Sequence, residues 1–157
     1  MTDEEAARYL SDRKAGSAGT CRWLTKHDWE RDANHMMMGV ERSGFRDGDL
    51  LITRNPRIPD RWSFILLVKR VNVIRWDFGT RPHGNRDDCA FRPNGQIEAP
   101  HEHLWNGVHD GCATPLSVPA LDGFEPMLIA FAKRVNLDLP GAVPPPPPMQ
   151  LEMETGP

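Results

Sequence analysis

The sequence predicts an α+β fold, with an antiparallel or mixed β-sheet, a C-terminal amphipathic helix packed on one face of it and a short N-terminal helix. Residues 62–68 form an apolar run rich in β-branched and aromatic side chains, which predicts a central strand buried on both faces. A single apolar stripe predicts a helix over residues 121–136 that packs on this sheet. The stripe is formed by Leu121, Phe124, Leu128, Phe131 and Val135.

Capping signals indicate where the two helices begin. Thr2 and Glu5 have the spacing of a capping box, which predicts a helix over residues 3–14 that ends at the Gly-containing segment 14–19. Asp122 and Glu125 have the same spacing and predict a second capping box.

Extended segments fill the middle of the chain. Further strands are predicted at residues 21–25, 35–42, 49–53, 71–76, 101–106 and 112–116. Residues 77–95 form a polar loop, and loops of this length in a compact domain are usually functional or mobile.

The predicted organisation has three parts, since 157 residues suit one domain. Residues 1–19 are a helix and linker, residues 20–140 a single α+β domain, and residues 141–157 a Pro-rich disordered tail. Five consecutive prolines at residues 144–148 favour a polyproline II conformation, either solvated or docked in an aromatic groove.

The cysteines and the chain start predict a cytoplasmic protein. Cys21, Cys89 and Cys112 are an odd set without a CxxC motif, which indicates reduced thiols. The acidic start lacks the features of a signal peptide, and no run of eighteen apolar residues predicts a membrane span.

Arginines are concentrated between residues 42 and 75. The net charge of −3 gives no overall attraction for nucleic acid, but a guanidinium can bind phosphate through two hydrogen bonds. We therefore predict that this region faces RNA or DNA. The predicted nucleic-acid-binding residues are Arg42, Arg54, Arg57, Arg61, Arg70 and Arg75.

The segment Pro-His-x-His-x-Trp at residues 100–105 is the main candidate site. In a strand, His101 and His103 project from the same face, roughly 7 Å apart. Together with His83 and a supporting arginine, Arg81 or Arg86, they could transfer protons and stabilise charge during metal-independent cleavage of RNA through its 2′-hydroxyl.

Metal binding is the alternative interpretation of the same segment. His101, His103, His109 and Cys112 are ligand types that zinc takes, although their spacing matches no standard finger and no HExxH motif is present. Gly95 with the two histidines matches the opening of a cupin motif, but the glutamate that should follow is missing. The sequence thus predicts no cofactor, with zinc as the alternative.

Several short motifs, in order, resemble a group of small prokaryotic proteins from mobile or prophage-like regions. They are Phe-Ile-Leu-Leu-Val at 64–68, Asp77, Pro-His-Gly-Asn at 82–85, Gly95-x-Ile97, the 100–105 segment, Ala113-x-Pro115-Leu116 and Val135-Asn-Leu137. The group has a His-x-Asn-Pro-Asp-Gly loop; here Arg-Asp-Asp follows Asn85, and an insertion precedes Gly95.

The group carries no established chemistry, so the resemblance implies only a domain, a site location and a setting of phage–host or mobile-element conflict. Two functions are compatible with that setting. The first is a histidine-dependent, toxin-like nuclease that cleaves RNA. The second is a non-catalytic inhibitor or adaptor that binds a nucleoprotein or protein partner through its sheet edge, long loop or arginine-rich surface, and it expects histidines that lie apart.

Overall fold

The computed structural model, which describes residues 1–27, 32–118 and 122–149, confirms the α+β prediction. Two α-helices, α1 (Asp3–Ser11) and α2 (Phe124–Arg134), lie near the chain ends. The strands are β1 (Lys14–Gly16), β2 (Trp23–His27), β3 (Asp32–Arg42), β4 (Phe45–Arg54), β5 (Trp62–Val68), β6 (Val71–Phe78), β7 (His83–Gly84), β8 (Gln96–Ile97), β9 (His101–Leu104), β10 (Ala113–Pro115) and β11 (Leu137–Asp138). The predicted helix start at residue 121 and the tail beyond residue 149 lie outside the described residues.

The described strands form one mixed sheet and a separate small hairpin. The sheet order is β10-β9-β6-β5-β4-β3-β1-β11, with β2 also paired to β3, and all pairs are antiparallel except β1 with β11. Strands β7 and β8 pair only with each other. The hairpin is therefore not part of the main sheet, and His83 lies outside that sheet.

Helix α2 covers one face of the sheet. Phe131 is fully buried, with its ring centroid 5.7 Å from that of Phe64 and 5.3 Å from that of Trp76. Strand β5 alternates between buried and half-buried residues, so the prediction that it is buried on both faces is wrong. Its second face, which carries Ser63 and Ile65, is only half-buried and can therefore contribute to a site.

The helix ends follow the capping prediction at only one of the two sites. The Thr2 capping box is confirmed, because Thr2 Oγ1 accepts from Glu5 N at 3.1 Å and Thr2 N donates to Glu5 Oε2 at 2.7 Å. The second box is wrong, since Gly123, with φ +93°, caps α2 without a side-chain hydrogen bond. Helix α1 ends at Ser11, earlier than predicted, because Lys14 enters β1.

The long loop after β6 is anchored at two points to the segment that leads into β10. Asn85 is buried, and its amide donates to the carbonyl oxygens of Phe91 (2.7 Å) and Ala113 (2.9 Å) and accepts from Ala113 N (2.7 Å). Cys89 and Cys112 form a disulfide. The prediction of reduced thiols is therefore wrong for this pair, and only Cys21 keeps a free thiol.

The described part of the predicted tail, residues 141–149, lies against the domain. Trp23 Nε1 donates to Pro144 O at 3.0 Å, and the Arg54 guanidinium donates to Pro147 O. These prolines therefore bind this protein's own side chains, which differs from the expected solvated tail. Across the described ranges no helix is long and apolar enough to cross a membrane.

The disulfide predicts how cysteine substitutions affect stability. Cys89→Ser, Cys112→Ser and the double variant should each lower the free energy of unfolding by about 3 kcal/mol, and by similar amounts, because they remove the same cross-link. Denaturant unfolding measures the free energies, and thiol titration of the denatured, unreduced protein should find only the Cys21 thiol. Detection of all three thiols would contradict the pairing.

Candidate active site

Strand register brings the site together on the face of the sheet opposite α2. Asp77 on β6 lies opposite His101 on β9 and opposite Ser63 on β5, and Arg75 lies opposite His103. Because alternate residues of a strand share a face, the spacing of two in Arg75-x-Asp77 and in His101-x-His103 places all four side chains on one face. The two pairs therefore meet directly across the β6–β9 ladder.

The three histidines proposed from the sequence converge. His83, on β7, has its ring centroid 4.5 Å from that of His103 and 5.8 Å from that of His101. The centroids of His101 and His103 are 5.0 Å apart. The separation of the histidines that the adaptor hypothesis expects is not found.

The carboxylate of Asp77 lies at the centre of the cluster. Its Oδ2 accepts from Arg75 Nε at 2.9 Å and lies 3.3 Å and 3.4 Å from the Nε2 atoms of His101 and His103, and its Oδ1 accepts from Ser63 Oγ at 2.6 Å. Burial alone would raise the pKa of Asp77. A hydrogen bond from His101, the adjacent His103 ring, a hydrogen bond from Ser63 and the charge of Arg75 together outweigh burial and hold this pKa well below its usual range.

Hydrogen-bond donors define the tautomer of His103. Arg75 Nη2 lies 2.9 Å from His103 Nε2, and a guanidinium can only donate, so Nε2 accepts. The other nitrogen, Nδ1, then donates to Asp110 O at 3.0 Å. Both nitrogens of His103 are therefore held by hydrogen bonds. His101 instead has a hydrogen-bond acceptor beside each nitrogen, with Nδ1 3.4 Å from Glu98 O and Nε2 3.3 Å from Asp77 Oδ2.

His83 is the histidine best arranged to accept a proton. Its Nε2 donates to Gly111 O at 2.8 Å, which leaves the lone pair on Nδ1. Burial lowers the pKa of His83, and the hydrogen bond to Gly111 offsets that effect only in part; the nearby His103, His101 and Arg75 lower it further. The ring is therefore neutral near pH 7.

Burial separates the roles of the cluster members. His101 and His103 are 2% and 0% exposed, whereas His83 and Arg75 are half-buried. A substrate can thus reach His83 and Arg75 but not the two histidines of the Pro-His-x-His segment. The prediction that all three histidines act directly on a substrate is therefore corrected to His83, since His101 and His103 are buried.

The arginine beside the histidines is not one of those predicted for that role. Arg81 is exposed, and Arg86 is exposed with its Nε 3.6 Å from Asp88 Oδ1. Arg75 donates to the cluster instead, although the sequence predicts it only for nucleic-acid binding. Its spacing of two from Asp77, at the end of a predicted strand, is the signal that could have identified both residues.

Of the other predicted nucleic-acid-binding arginines, Arg54 and Arg61 line a cavity together with Arg75, whereas Arg42, Arg57 and Arg70 do not. Arg42 forms ion pairs with Asp12 (2.8 Å) and Asp47 (2.9 Å). Arg54 is buried over the Trp62 ring, with its guanidinium 5.3 Å from the ring centroid. Arg57 and Arg70 are exposed on loops, and Arg61 lines a cavity that Arg75 and Asp77 also line.

The four residues named for the zinc alternative do not come together as a set, because His109 and Cys112 have other partners. His109 Nε2 lies 2.8 Å from Asp88 Oδ2, and the sulfur of Cys112 is in the disulfide. A different group, Asp77 with His101 and His103, places three ligand atoms within 4.8 Å of one another. Arg75, however, donates to both Asp77 Oδ2 and His103 Nε2, so a guanidinium supplies the positive charge where a cation would bind.

No family model, curated protein or solved structure matches this chain.

Replacement of Asp77 should destabilise the protein in a pH-dependent way. Asp77→Asn should cost about 3 kcal/mol near neutral pH, because Arg75 and the two histidines lose a buried anionic partner. Since the folded-state pKa is lowered, the stabilisation is complete above the ordinary value of 3.8 and is lost as the pH falls below it. The stability difference measured by denaturant unfolding should thus shrink in acid.

Asp138→Asn serves as the control for the Asp77 variant. Asp138 pairs with Arg13 at 2.7 Å, and both side chains are more than half exposed. Its loss should cost less than about 1 kcal/mol at any pH. Equal losses for the two variants would show that the buried cluster does not depend on Asp77.

Proposed function

We propose that this protein is a histidine-dependent enzyme of toxin-like type that cleaves RNA through its 2′-hydroxyl. The observation that carries the proposal is the accessible His83, which has a lone pair on Nδ1 and packs against a buried group that includes an arginine. A neutral histidine and an adjacent guanidinium are what a metal-free phosphoryl transfer requires. No metal enters the proposal.

The proposed reaction is an intramolecular transesterification. His83 Nδ1 takes the proton of the ribose 2′-hydroxyl, and the 2′-oxygen attacks the adjacent phosphorus. The bond from phosphorus to the 5′-oxygen breaks, and the imidazolium of His83 returns the proton to that oxygen. The products are a 2′,3′-cyclic phosphate and a 5′-hydroxyl, so the proton and the phosphoryl group balance.

Arg75 is the group that stabilises the negative charge developing on the phosphoryl oxygens. It is half-buried, and its Nη2 lies 2.9 Å from His103 Nε2, while the His103 ring centroid is 4.5 Å from that of His83. His103 thus touches both accessible groups and spaces them. Asp77 holds Arg75 by a 2.9 Å hydrogen bond, so Arg75 is oriented before substrate binds.

In this scheme His101, His103 and Asp77 are positioning residues. Their burial keeps water from the hydrogen bonds that orient His83 and Arg75, and each of their polar atoms has a partner within the cluster or on the backbone. Buried polar networks of this kind are rigid when every member is satisfied.

Replacement of His83 should greatly slow cleavage. His83→Gln should lower the single-turnover rate on a single-stranded RNA by about 100-fold or more, because the base is lost. The wild-type product should carry a 2′,3′-cyclic phosphate, and a strand of DNA should stay intact because it lacks the attacking hydroxyl. Gel analysis of end-labelled strands measures rate and product together.

His35→Gln is the matched control for that experiment. His35 is on β3, four strands away from β9 in the sheet, so its loss should leave the rate unchanged. Chelation of divalent metals should also leave the rate unchanged. Intact RNA with the wild-type protein, or equal rates for wild type and His83→Gln, would refute the proposal.

The pH profile should identify His83 as the base. Because the pKa of His83 is lowered from 6.5, its neutral form persists into mild acid, and the acid limb of kcat/KM should lie below pH 6.5. The residual activity of His83→Gln should lack that limb. An acid limb at or above pH 6.5 would assign the essential base to another group.

A further inference from the structure

A cavity of about 490 Å³ lies beside the histidine cluster, on the face of the sheet opposite α2. Its size is that of a small-ligand site. Part of it is the sheet surface, formed by Thr53, Ser63, Ile65, Arg75 and Asp77. Further polar side chains come from Arg54, Asn55, Arg61 and Thr80. Because Arg75 and Asp77 belong to both the cavity and the cluster, a ligand bound here would contact the groups that orient the candidate active site.

The charge of the cavity favours an anion. Arg61 and Arg75 both line it, and Asp77 is its one lining carboxylate among the described residues. Asp77 pairs with Arg75 at 2.9 Å, whereas no carboxylate of the described chain pairs with Arg61. Among the described residues the cavity thus contains a guanidinium without a carboxylate partner, a group whose planar fork fits phosphate oxygens.

A buried hydroxyl in the same cavity has no hydrogen-bond partner within the described part of the chain. Thr80 Oγ1 is one of two buried side-chain polar atoms without a hydrogen-bond partner among the described residues. The Ser63 hydroxyl, by contrast, donates to Asp77. A buried polar atom without a partner is costly, so Thr80 points to a ligand atom that would accept its hydrogen bond.

The local backbone brings Arg61 and Thr80 to the same cavity. Gly79, with φ +61°, follows β6, and a Cβ there would overlap the carbonyl oxygen of Asp60. The loop before β5 is closed by a 3.2 Å hydrogen bond from Asn55 N to Arg61 O. Gly79 therefore permits the close approach of that loop to the chain that carries Thr80.

We propose that this cavity binds a backbone phosphate of the RNA strand, next to the phosphate that is cleaved. The inference rests on the proposed function for the identity of the strand, but its chemistry rests on Arg61 and Thr80 alone. Arg61 would bind two phosphate oxygens, Thr80 Oγ1 would donate to one of them, and Arg75 would lie between this phosphate and His83.

Binding is tested with an RNA that cannot be cleaved. The probe is a fluorescent 2′-O-methyl RNA of about eight nucleotides, a typical site size for single strands, measured by anisotropy with the full chain. Arg61→Gln and Thr80→Val should each weaken binding about tenfold, because each removes a hydrogen bond to a charged group. Thr80→Val nearly preserves the side-chain shape, so it also serves if Arg61→Gln folds poorly.

The salt dependence separates a specific contact from general attraction. Arg61→Gln should reduce the slope of log K against log salt by about 0.7, the value for one phosphate contact with a single strand. Arg13→Gln changes the net charge equally, but Arg13 is exposed, does not line the cavity and pairs with Asp138 on the edge strand β11. It should leave affinity and slope unchanged. Equal effects of the two arginine variants, or none from Thr80→Val, would overturn the inference.

Two further readouts distinguish the outcomes. Displacement of the probe by about 1 mM inorganic phosphate would identify a free phosphate compound as the ligand and overturn the assignment to RNA. Cleavage of ordinary RNA is measured in parallel. If binding of the probe requires Arg61 and Thr80 while ordinary RNA stays intact, the phosphate site is supported and the proposed function is refuted. If His83-dependent cleavage occurs but binding of the probe does not require Arg61 and Thr80, the proposed function is supported and the phosphate site is refuted.

Discussion

The buried carboxylate of Asp77 is the interaction on which the site depends. Side chains from three adjacent strands contact it, namely Ser63 on β5, Arg75 on β6 and the histidines of β9. A buried anion is tolerated only when it is paired and hydrogen-bonded, and here every contact faces the oxygens from the same side of the sheet. The arrangement is thus mutually dependent: Asp77 needs these donors to remain ionised, and they need Asp77 to keep their orientation.

A second carboxylate holds the same strand from the opposite face. Glu102, between the two histidines of β9, accepts from Trp76 Nε1 at 2.6 Å and from Arg134 of α2 at 2.9 Å and 3.0 Å. Strand β9 is therefore held to the core by Glu102 and to the site by its histidines. Because a shift of one residue would exchange the two faces, these bonds together fix the register that opposes Asp77 and His101. The geometry of the site is in this way coupled to the packing of α2.

The sequence predicts which strands and histidines form the site better than it predicts which residues they contact. Spacing alone placed His101 and His103 on one face, and an apolar stripe placed the C-terminal helix on the sheet. Asp77 was predicted to begin a loop, whereas β6 continues to Phe78 because Asp77 and His101 pair across the ladder. Register between strands distant in sequence is not visible in one chain, so Arg81 and Arg86, neighbours of His83 in the chain, were chosen over Arg75. The Cys89–Cys112 pairing is not predicted because an odd set of cysteines without a CxxC motif indicates reduced thiols, and the sequence does not show which cysteines lie close in space.

The division between buried and accessible groups explains why a long loop accompanies a rigid cluster. The sheet holds Arg75 against His103, but the two histidines of the sheet, His101 and His103, lie too deep to meet a substrate. His83 comes from the β7–β8 hairpin, outside the sheet, and its position depends on Gly111, which lies between the disulfide and the candidate metal-binding histidine His109 in the chain. The histidines of the Pro-His-x-His segment are thus buried positioning residues, and His83, which is less conspicuous in the sequence, is the histidine that solvent can reach. Loops positioned by a rigid scaffold commonly carry the reacting group, and here the disulfide and Asn85 give the loop that rigidity.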